Sequence, residues 1–148
     1  ARAVIPTIIS QIANGAKKIK LGNIHPTRDF SYVTDTANAF IQIAESDESI
    51  GRIINFGSNF EISIGKTLEL IAEVMGSEVD IISDKQRFRP DNSEVEQLYA
   101  DISLAKKIYG WQPEYSGIEG FRRGIKNTVD WFSTRENLKY YKHNIYNI

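Results

Sequence analysis

Apolar positions along the chain alternate between helical spacing and short alternating or continuous runs, the mark of a mixed α/β chain. Val4, Ile5, Ile8, Ile9 and Ile12 recur at helical spacing and predict an amphipathic helix over residues 3–14, closed near Gly15. Pro6 is tolerated there as a first-turn residue. Ile19 and Leu21 flank Lys20 in a short alternating run that Gly22 and Asn23 end, which reads as a strand followed by a loop through Pro26. Phe30 and Tyr32 alternate in a second predicted strand. Thr34 or Asp35 then suits the N-cap of a helix over 36–45 with Ala37, Phe40, Ile41 and Ala44 on its apolar face. Ile53, Ile54 and Phe56 form a near-continuous apolar run before Gly57-Ser58-Asn59, as expected of a strand buried on both faces.

Further along, Leu68, Ile71, Ala72 and Met75 mark a helix stopped by Gly76, and Val79, Ile81 and Ile82 mark another strand. Residues 84–99 have no period and are dense in charge, and a loop of that length is usually functional or disordered. Asp101 is placed to cap a short helix (Ile102, Ala105, Ile108) that ends at Gly110. Ser116-Gly-Ile-Glu119 has capping-box spacing and opens a helix with Ile118, Phe121, Ile125, Val129 and Phe132 on one side. With no internal repeat and no low-complexity linker, residues 1–133 read as one domain and 134–148 as a Tyr- and Asn-rich tail.

Composition narrows the function classes. A chain of 148 residues, 41% hydrophobic and 25% charged, is ordinary for a globular domain. Its 18 basic and 19 acidic residues leave a formal charge of -1, which provides no basic field for a nucleic-acid backbone. The absence of Cys and the presence of only two His, His25 and His143, exclude a disulfide framework and a thiolate or histidine zinc site. No apolar run approaches the roughly 20 residues that span a bilayer, and no leader pattern is present, so no membrane partner and a cytoplasmic location are expected. The chain opens on Ala1 without an initiator Met and already inside an apolar periodic pattern, as a segment of a longer polypeptide would.

The candidate chemistry is ligand binding. A guanidinium is a planar, permanently charged fork of donors that matches a diphosphate. Arg28 precedes a predicted strand, and Arg87 and Arg89 lie in the long loop, so two arginines from different segments suit one pyrophosphate. The same residues also suit ordinary pairs with Asp29, Asp91 or Glu94. Asn55 and Asn59 lie at a strand's carboxyl end, where ligands gather in open sheets, although Asn59 equally supplies turn chemistry. Ser93, Glu94 and Glu96 suit sugar hydroxyls or contacts with Arg89. Gly117, Gly120 and Gly124 lack the preceding strand and the spacing of a dinucleotide fingerprint, so they are read as packing glycines. No Tyr is followed four residues later by Lys, and no catalytic group is assigned on this chain.

Gly22…Arg28-Asp-Phe-Ser-Tyr-Val-x-Asp35 resembles a segment of the extended short-chain dehydrogenase/reductase family, that of the nucleotide-sugar epimerases and 4,6-dehydratases. Further pieces follow in the family's order: Ile54-Asn55-Phe56-Gly57 with Glu61 and Ile64, Arg89-Pro90-x-x-Ser93-Glu94, Ala100-Asp101-x-Ser103-x-Ala105-Lys106, Gly110-Trp111-x-Pro113, and Ser116-x-x-Glu119-Gly120. The opening helix and Pro26-Thr27-Arg28-Asp29-Phe30 are most similar to NAD-dependent 4,6-dehydratases acting on nucleotide-linked N-acetylglucosamine in legionaminic-acid-type sugar synthesis. UDP-sugar 4-epimerase ranks second. The resemblance implies the C-terminal, substrate-binding part of an extended Rossmann-type enzyme, without its dinucleotide-binding half. It implies that Arg28 and Arg89 hold the diphosphate and that Asn55 lies near the phosphates. The strand at Ile19 to Leu21 would lie along the base, Ala3 and Val4 would contact nucleotide or sugar, and Glu94 would join the substrate contacts. NAD or NADP, the Tyr-x-x-x-Lys pair and catalysis would belong to the other half, with no cofactor held by this chain alone. The implied partners are a nucleoside diphosphate sugar, the N-terminal Rossmann half and a second copy in a homodimer. A non-catalytic interaction module that has kept the fold is the reading from another class.

Overall fold

The computed structural model describes residues 3–88 and 93–138. In chain order the elements are α1 (Val4–Ala13), β1 (Lys18–Leu21), β2 (Thr27–Asp29), α2 (Val33–Ala44), β3 (Glu61–Ser63), α3 (Ile64–Val74), β4 (Asp80–Ser83), β5 (Gln97–Leu98), α4 (Ser103–Tyr109), α5 (Gly117–Ser133) and α6 (Arg135–Leu138). Their contacts cluster into two compact units. The first takes its described residues from 1–26, 63–96 and 125–148, and the second comprises 27–62 and 97–124.

In the first unit, β1 and β4 form a parallel pair with Ile19 opposite Ile81 and Leu21 opposite Ser83. Side chains alternate along β1 so that Ile19 and Leu21 are buried while Lys18 and Lys20 face out. α1 is buried on more than its apolar stripe, because Thr7, Ser10 and Gln11 are buried with Ile8, Ile9 and Ile12. Those polar groups are satisfied at short range. The Gln11 amide accepts from Lys20 N–H at 2.9 Å and donates to Lys20 C=O at 3.3 Å, so it does for β1 what a neighbouring strand would do. The orphan amides at the start of α3 find carbonyls in the loop that follows β1, Ile64 N–H at Pro26 and Gly65 N–H at Ile24. α3 ends where the sequence predicts. Gly76 has φ 59°, and Ser77 N–H and Gly76 N–H return to the carbonyls of Ala72 and Glu73, a Schellman ending.

The start of the long unpatterned segment is ordered in this unit. A 3-10 turn over Lys85–Arg87 is capped by Asp84, whose other carboxylate oxygen takes Arg87 Nε at 3.0 Å. Asp84 N–H bonds Leu21 C=O, and Gly22 packs against the turn so closely that a Cβ there would lie 2.3 Å from the Arg87 carbonyl oxygen. Gly22 is therefore required by proximity to backbone.

The second unit contains the strand order β3-β2-β5, with β2 parallel to β5 in the register Thr27–Gln97 and Arg28–Leu98. Ala39, Ile102, Ala105 and Trp111 form a buried cluster against which Ile54, Phe56 and Ala100 pack. Phe56 meets Trp111 edge to face at 4.9 Å, and the indole N–H donates to Gly57 C=O at 3.1 Å. α4 ends on left-handed Gly110, as expected, while Asp101 caps from one residue before the N-cap Ile102 by accepting Ser103 N–H at 2.9 Å. Its bonds to Ser103, side chain first and backbone second, hold the Asp101 carboxyl below its ordinary value.

Several expectations change here. The second strand is Thr27–Asp29, not the Phe30–Tyr32 stretch; those rings stack instead on Phe121 at 5.8 Å and Tyr115 at 4.1 Å. α2 starts at Val33 and has no side-chain N-cap. Asp35 is in its first turn, 3% exposed, and its two oxygens accept Glu114 N–H at 3.1 Å and Tyr115 N–H at 3.0 Å. The carboxylate is thus aimed at two loop amides and not at the amides of its own helix end. The predicted apolar face of α2 is not the buried one: Ala39 is buried, whereas Phe40 is 69% exposed. Residues 52–58 carry no regular structure although they include Ile53, Ile54 and Phe56. A strand exists only by pairing, and no strand of this unit pairs with them among the described residues; Ile53 is 92% exposed. The tail from residue 139 lies outside the described residues.

Replacing Asp35 by Asn turns one acceptor into a donor facing an N–H, and urea denaturation should show a loss of about 1–3 kcal/mol. Gly22→Ala should lose about 1–3 kcal/mol by overpacking against backbone that has little room to yield. Superimposable unfolding curves would refute either assignment.

Candidate functional site

The segment from Arg28 to Asp35 is held through Asp29, Phe30, Tyr32 and Asp35. Asp29 Oδ1 accepts both Ser58 N–H, at 2.9 Å, and the Ser58 hydroxyl. Phe30 and Tyr32 stack as described, with the Arg123 guanidinium 5.5 Å from the Tyr115 ring centroid, and Asp35 ties down residues 114 and 115. Arg28 is thus carried on a strand whose two flanks are anchored. It is half-buried, and its Nη1 donates to Thr27 C=O at 2.7 Å.

Next to this segment is an open cleft of about 500 Å³, lined among others by Asp29, Ser31, Asn55, Gly57, Leu98 and Tyr99. Its wall mixes two aromatic rings, Phe56 and Tyr99, with hydroxyl, amide and carboxylate groups. Asn55 is exposed there. Asn59 takes a left-handed turn conformation (φ 54°) and accepts Tyr99 OH at 2.7 Å, so it serves the turn and the ring. Gly57 leaves room for Asp29: a Cβ at Gly57 would lie 2.7 Å from Asp29 Oδ2, a buried oxygen with no hydrogen-bond partner among the described residues. A smaller pocket of about 230 Å³ lies between α2 and the aromatic cluster, lined by Asp35, Ala39, Phe40, Ile43, Ile54 and Trp111 among others.

The sequence-derived candidates fall in different units. Arg28 and Asn55 belong to the second, and Ala3, Val4, Ile19, Leu21 and Glu94 to the first. Ala3 is exposed, and Val4 and Glu94 are partly exposed. Ile19 and Leu21 are 0% and 4% exposed, so their side chains are closed to a ligand. Of the loop arginines, Arg87 is committed to Asp84 with its side chain 9% exposed, a structural pair; Arg89 lies outside the described residues. Gly120 and Gly124 are packing positions, since a Cβ at either would lie 2.5 Å from the Tyr115 backbone or 3.1 Å from the Tyr32 ring. They do not form a cradle for a dinucleotide. Among the described residues no cluster of His, Cys, Asp or Glu is able to hold a metal ion, and no helix is long and apolar enough to cross a membrane.

Periodicity did not bring Glu61 forward. Its carboxylate on β3 accepts Thr27 Oγ1 at 2.7 Å and Gln97 Nε2 at 2.9 and 2.8 Å, touching both other strands of the sheet. The only trace of it in the sequence is its place in the motif that follows Asn55-Phe56-Gly57.

Residues 1–124 match the family described as GDP-mannose 4,6 dehydratase. The chain belongs to that family. Among relatives of the family's members, the human dTDP-D-glucose 4,6-dehydratase is 32% identical over 149 residues, a match covering 95% of this chain and 39% of the human protein. The solved UDP-N-acetylglucosamine 4-epimerase of Methanobrevibacter ruminantium, in complex with UDP-N-acetylmuramic acid, is 34% identical with a TM-score of 0.70, covering 88% of this chain and 39% of that one. A dTDP-glucose 4,6-dehydratase of Bacillus anthracis, in complex with NAD, shares the fold at 23% identity and a TM-score of 0.73, over 90% of this chain and 40% of that one. The chain therefore spans about two fifths of the length of the dehydratase and epimerase relatives it matches.

In this GDP-mannose 4,6-dehydratase-family chain, the hydrogen bonds from Gln97 first and Thr27 second hold the Glu61 carboxyl below its ordinary value of 4.5. A pKa lower in the folded than in the unfolded state contributes stability above the unfolded value and loses it as pH falls through the folded one. The stability difference between wild type and Glu61→Gln should therefore be largest near neutral pH and close at acid pH below 4.5, as measured by urea titrations at stepped pH. A difference that persists unchanged into that range would contradict the assignment.

Proposed function

We propose that the chain is the nucleotide-sugar-binding portion of an NAD(P)-dependent nucleoside diphosphate sugar 4,6-dehydratase. The observation that carries this reading is Arg28, a permanent cation on an anchored strand of a chain in the GDP-mannose 4,6-dehydratase family. Arg28 binds the substrate diphosphate and Arg89 is its opposing donor. Asn55 approaches the phosphates from the cleft wall, and Glu94 takes a sugar or nucleotide hydroxyl. The main chain of β1 and the first residues of α1, Ala3 and Val4, border the nucleotide. The wording of the opening helix and of residues 26–30 favours a nucleotide-linked N-acetylglucosamine, in the manner of the legionaminic-acid-type dehydratases.

NAD or NADP and the proton-transfer pair are supplied by a further part of the complete protein. That cofactor would accept and return the hydride in such a reaction; the residues on this chain orient the diphosphate. The exposed apolar positions Val33, Phe40, Ile41, Ile50 and Ile53 in the second unit support a covering partner surface, for which a dinucleotide-binding half is the fitting candidate. The complete protein is read as a cytoplasmic homodimer. A 4-epimerase of the same family is the second reading, favoured by the 34% identity to the Methanobrevibacter ruminantium enzyme.

Calorimetric titration of the complete protein with UDP-N-acetylglucosamine, dTDP-glucose and GDP-mannose tests the reading. Arg28→Ala and Arg89→Ala should each weaken the preferred ligand by roughly 1.5–3 kcal/mol, about ten- to a hundredfold in Kd. Equal affinity in wild type and both variants would dismiss the clamp and leave the interaction module as the better reading. Product analysis on the preferred ligand separates water loss from inversion at C4.

A further inference from the structure

The sheet that carries Arg28 is small: its strands have three, three and two residues. Its backbone ladder is correspondingly short, with two β2–β5 register pairs, Thr27–Gln97 and Arg28–Leu98. Two side chains, Glu61 and Gln97, meet to bridge the whole of it. The Glu61 carboxylate on one outer strand reaches Thr27 on the central strand at 2.7 Å and Gln97 on the other outer strand at 2.9 and 2.8 Å, across about two strand spacings, roughly 10 Å. Both Thr27 and Gln97 belong to the rung immediately before Arg28. The guanidinium itself bonds back to the Thr27 carbonyl at 2.7 Å, so the residue that Glu61 grips by its hydroxyl is the residue that Arg28 grips by its carbonyl.

We propose that Glu61 is a positioning residue for the diphosphate-binding arginine: by locking the Thr27–Gln97 rung across all three strands, it fixes the origin of the Arg28 side chain and the direction in which its donors face a diphosphate. The carboxylate acts through Thr27 and does not touch the ligand, which agrees with its sign, since a second anion beside a diphosphate would repel it. A site loses precision when the contacts that support it are loose, and β5 is held to β2 by only two register pairs besides the Glu61 bonds. This inference rests on the diphosphate-binding role given to Arg28 above.

The test uses the complete protein, with UDP, dTDP and GDP titrated separately as probes and NAD titrated as a control ligand. Glu61→Gln keeps the shape but sets an amide against the Gln97 amide, and it should weaken the tightest nucleoside diphosphate by about fivefold, the effect of one poorly replaced hydrogen bond, with NAD affinity unchanged. Gln97→Leu removes the grip from the exposed side and should act in the same direction. The exchange Glu61→Gln with Gln97→Glu restores donor to acceptor and should recover most of the affinity, which a merely structural lesion would not do. Unchanged diphosphate affinity in both single variants overturns the inference, as does an equal loss of NAD and diphosphate affinity without recovery in the exchange. Arg28→Ala, run alongside, separates the two claims. If it weakens the diphosphate and the Glu61 and Gln97 variants do not, only the positioning role falls; if it leaves the diphosphate unaffected, the binding reading falls with it.

Discussion

The second unit depends on carboxylates that capture backbone N–H groups from distant parts of the chain. Asp29 takes the Ser58 amide, and Asp35 takes the amides of Glu114 and Tyr115, so two acidic residues six positions apart fasten one short segment to two loops. Loop amides brought out of water need partners, and a charged acceptor gives them stronger bonds than a neutral carbonyl would. Between the two anchors the rings of Phe30 and Tyr32 close on Phe121 and Tyr115, which adds apolar contact to the same attachment. Arg28 is thereby carried on a segment with little freedom, the condition under which a guanidinium recognises an anion without losing much conformational entropy on binding.

The first unit solves the related problem of a narrow sheet. A two-stranded pair leaves β1 with an open edge, and the Gln11 amide supplies the acceptor and donor that Lys20 would otherwise lack. Asp84 and Arg87 turn the chain at the end of β4, and the absence of a side chain at Gly22 lets that turn lie directly on backbone. In both units the ladders are short, and polar side chains, Gln11 in the first and Glu61 in the second, complete what backbone pairing begins.

In the second unit, Val33, Phe40 and Ile41 on α2 and Ile50 and Ile53 after it are large apolar residues that stand exposed. Isoleucine and phenylalanine side chains at such exposure are unfavourable in water, and the run Ile53-Ile54-Asn55-Phe56 has the composition of a strand but pairs with no strand among the described residues.

From the sequence alone, the elements whose information is local could be read: α1, α3 with its Gly76 stop, α4 with Gly110, α5, the alternation of Ile19 and Leu21, and the order of motifs that marks the family. Helical period, left-handed glycines and alternating strands are properties of neighbours in the chain, so they need no fold to be legible. The roles of Asp35, Arg87 and Glu61 were not legible, because a carboxylate suited to cap its own helix is equally suited to bind a loop 79 residues away, and an arginine suited to a phosphate is equally suited to an aspartate three residues before it. Only the tertiary structure decides between such partners, since the choice is made by which donors and acceptors are buried together. The same holds for residues 53–56: their sequence states a preference for a strand, but pairing is a relation between two segments and a single segment cannot determine it.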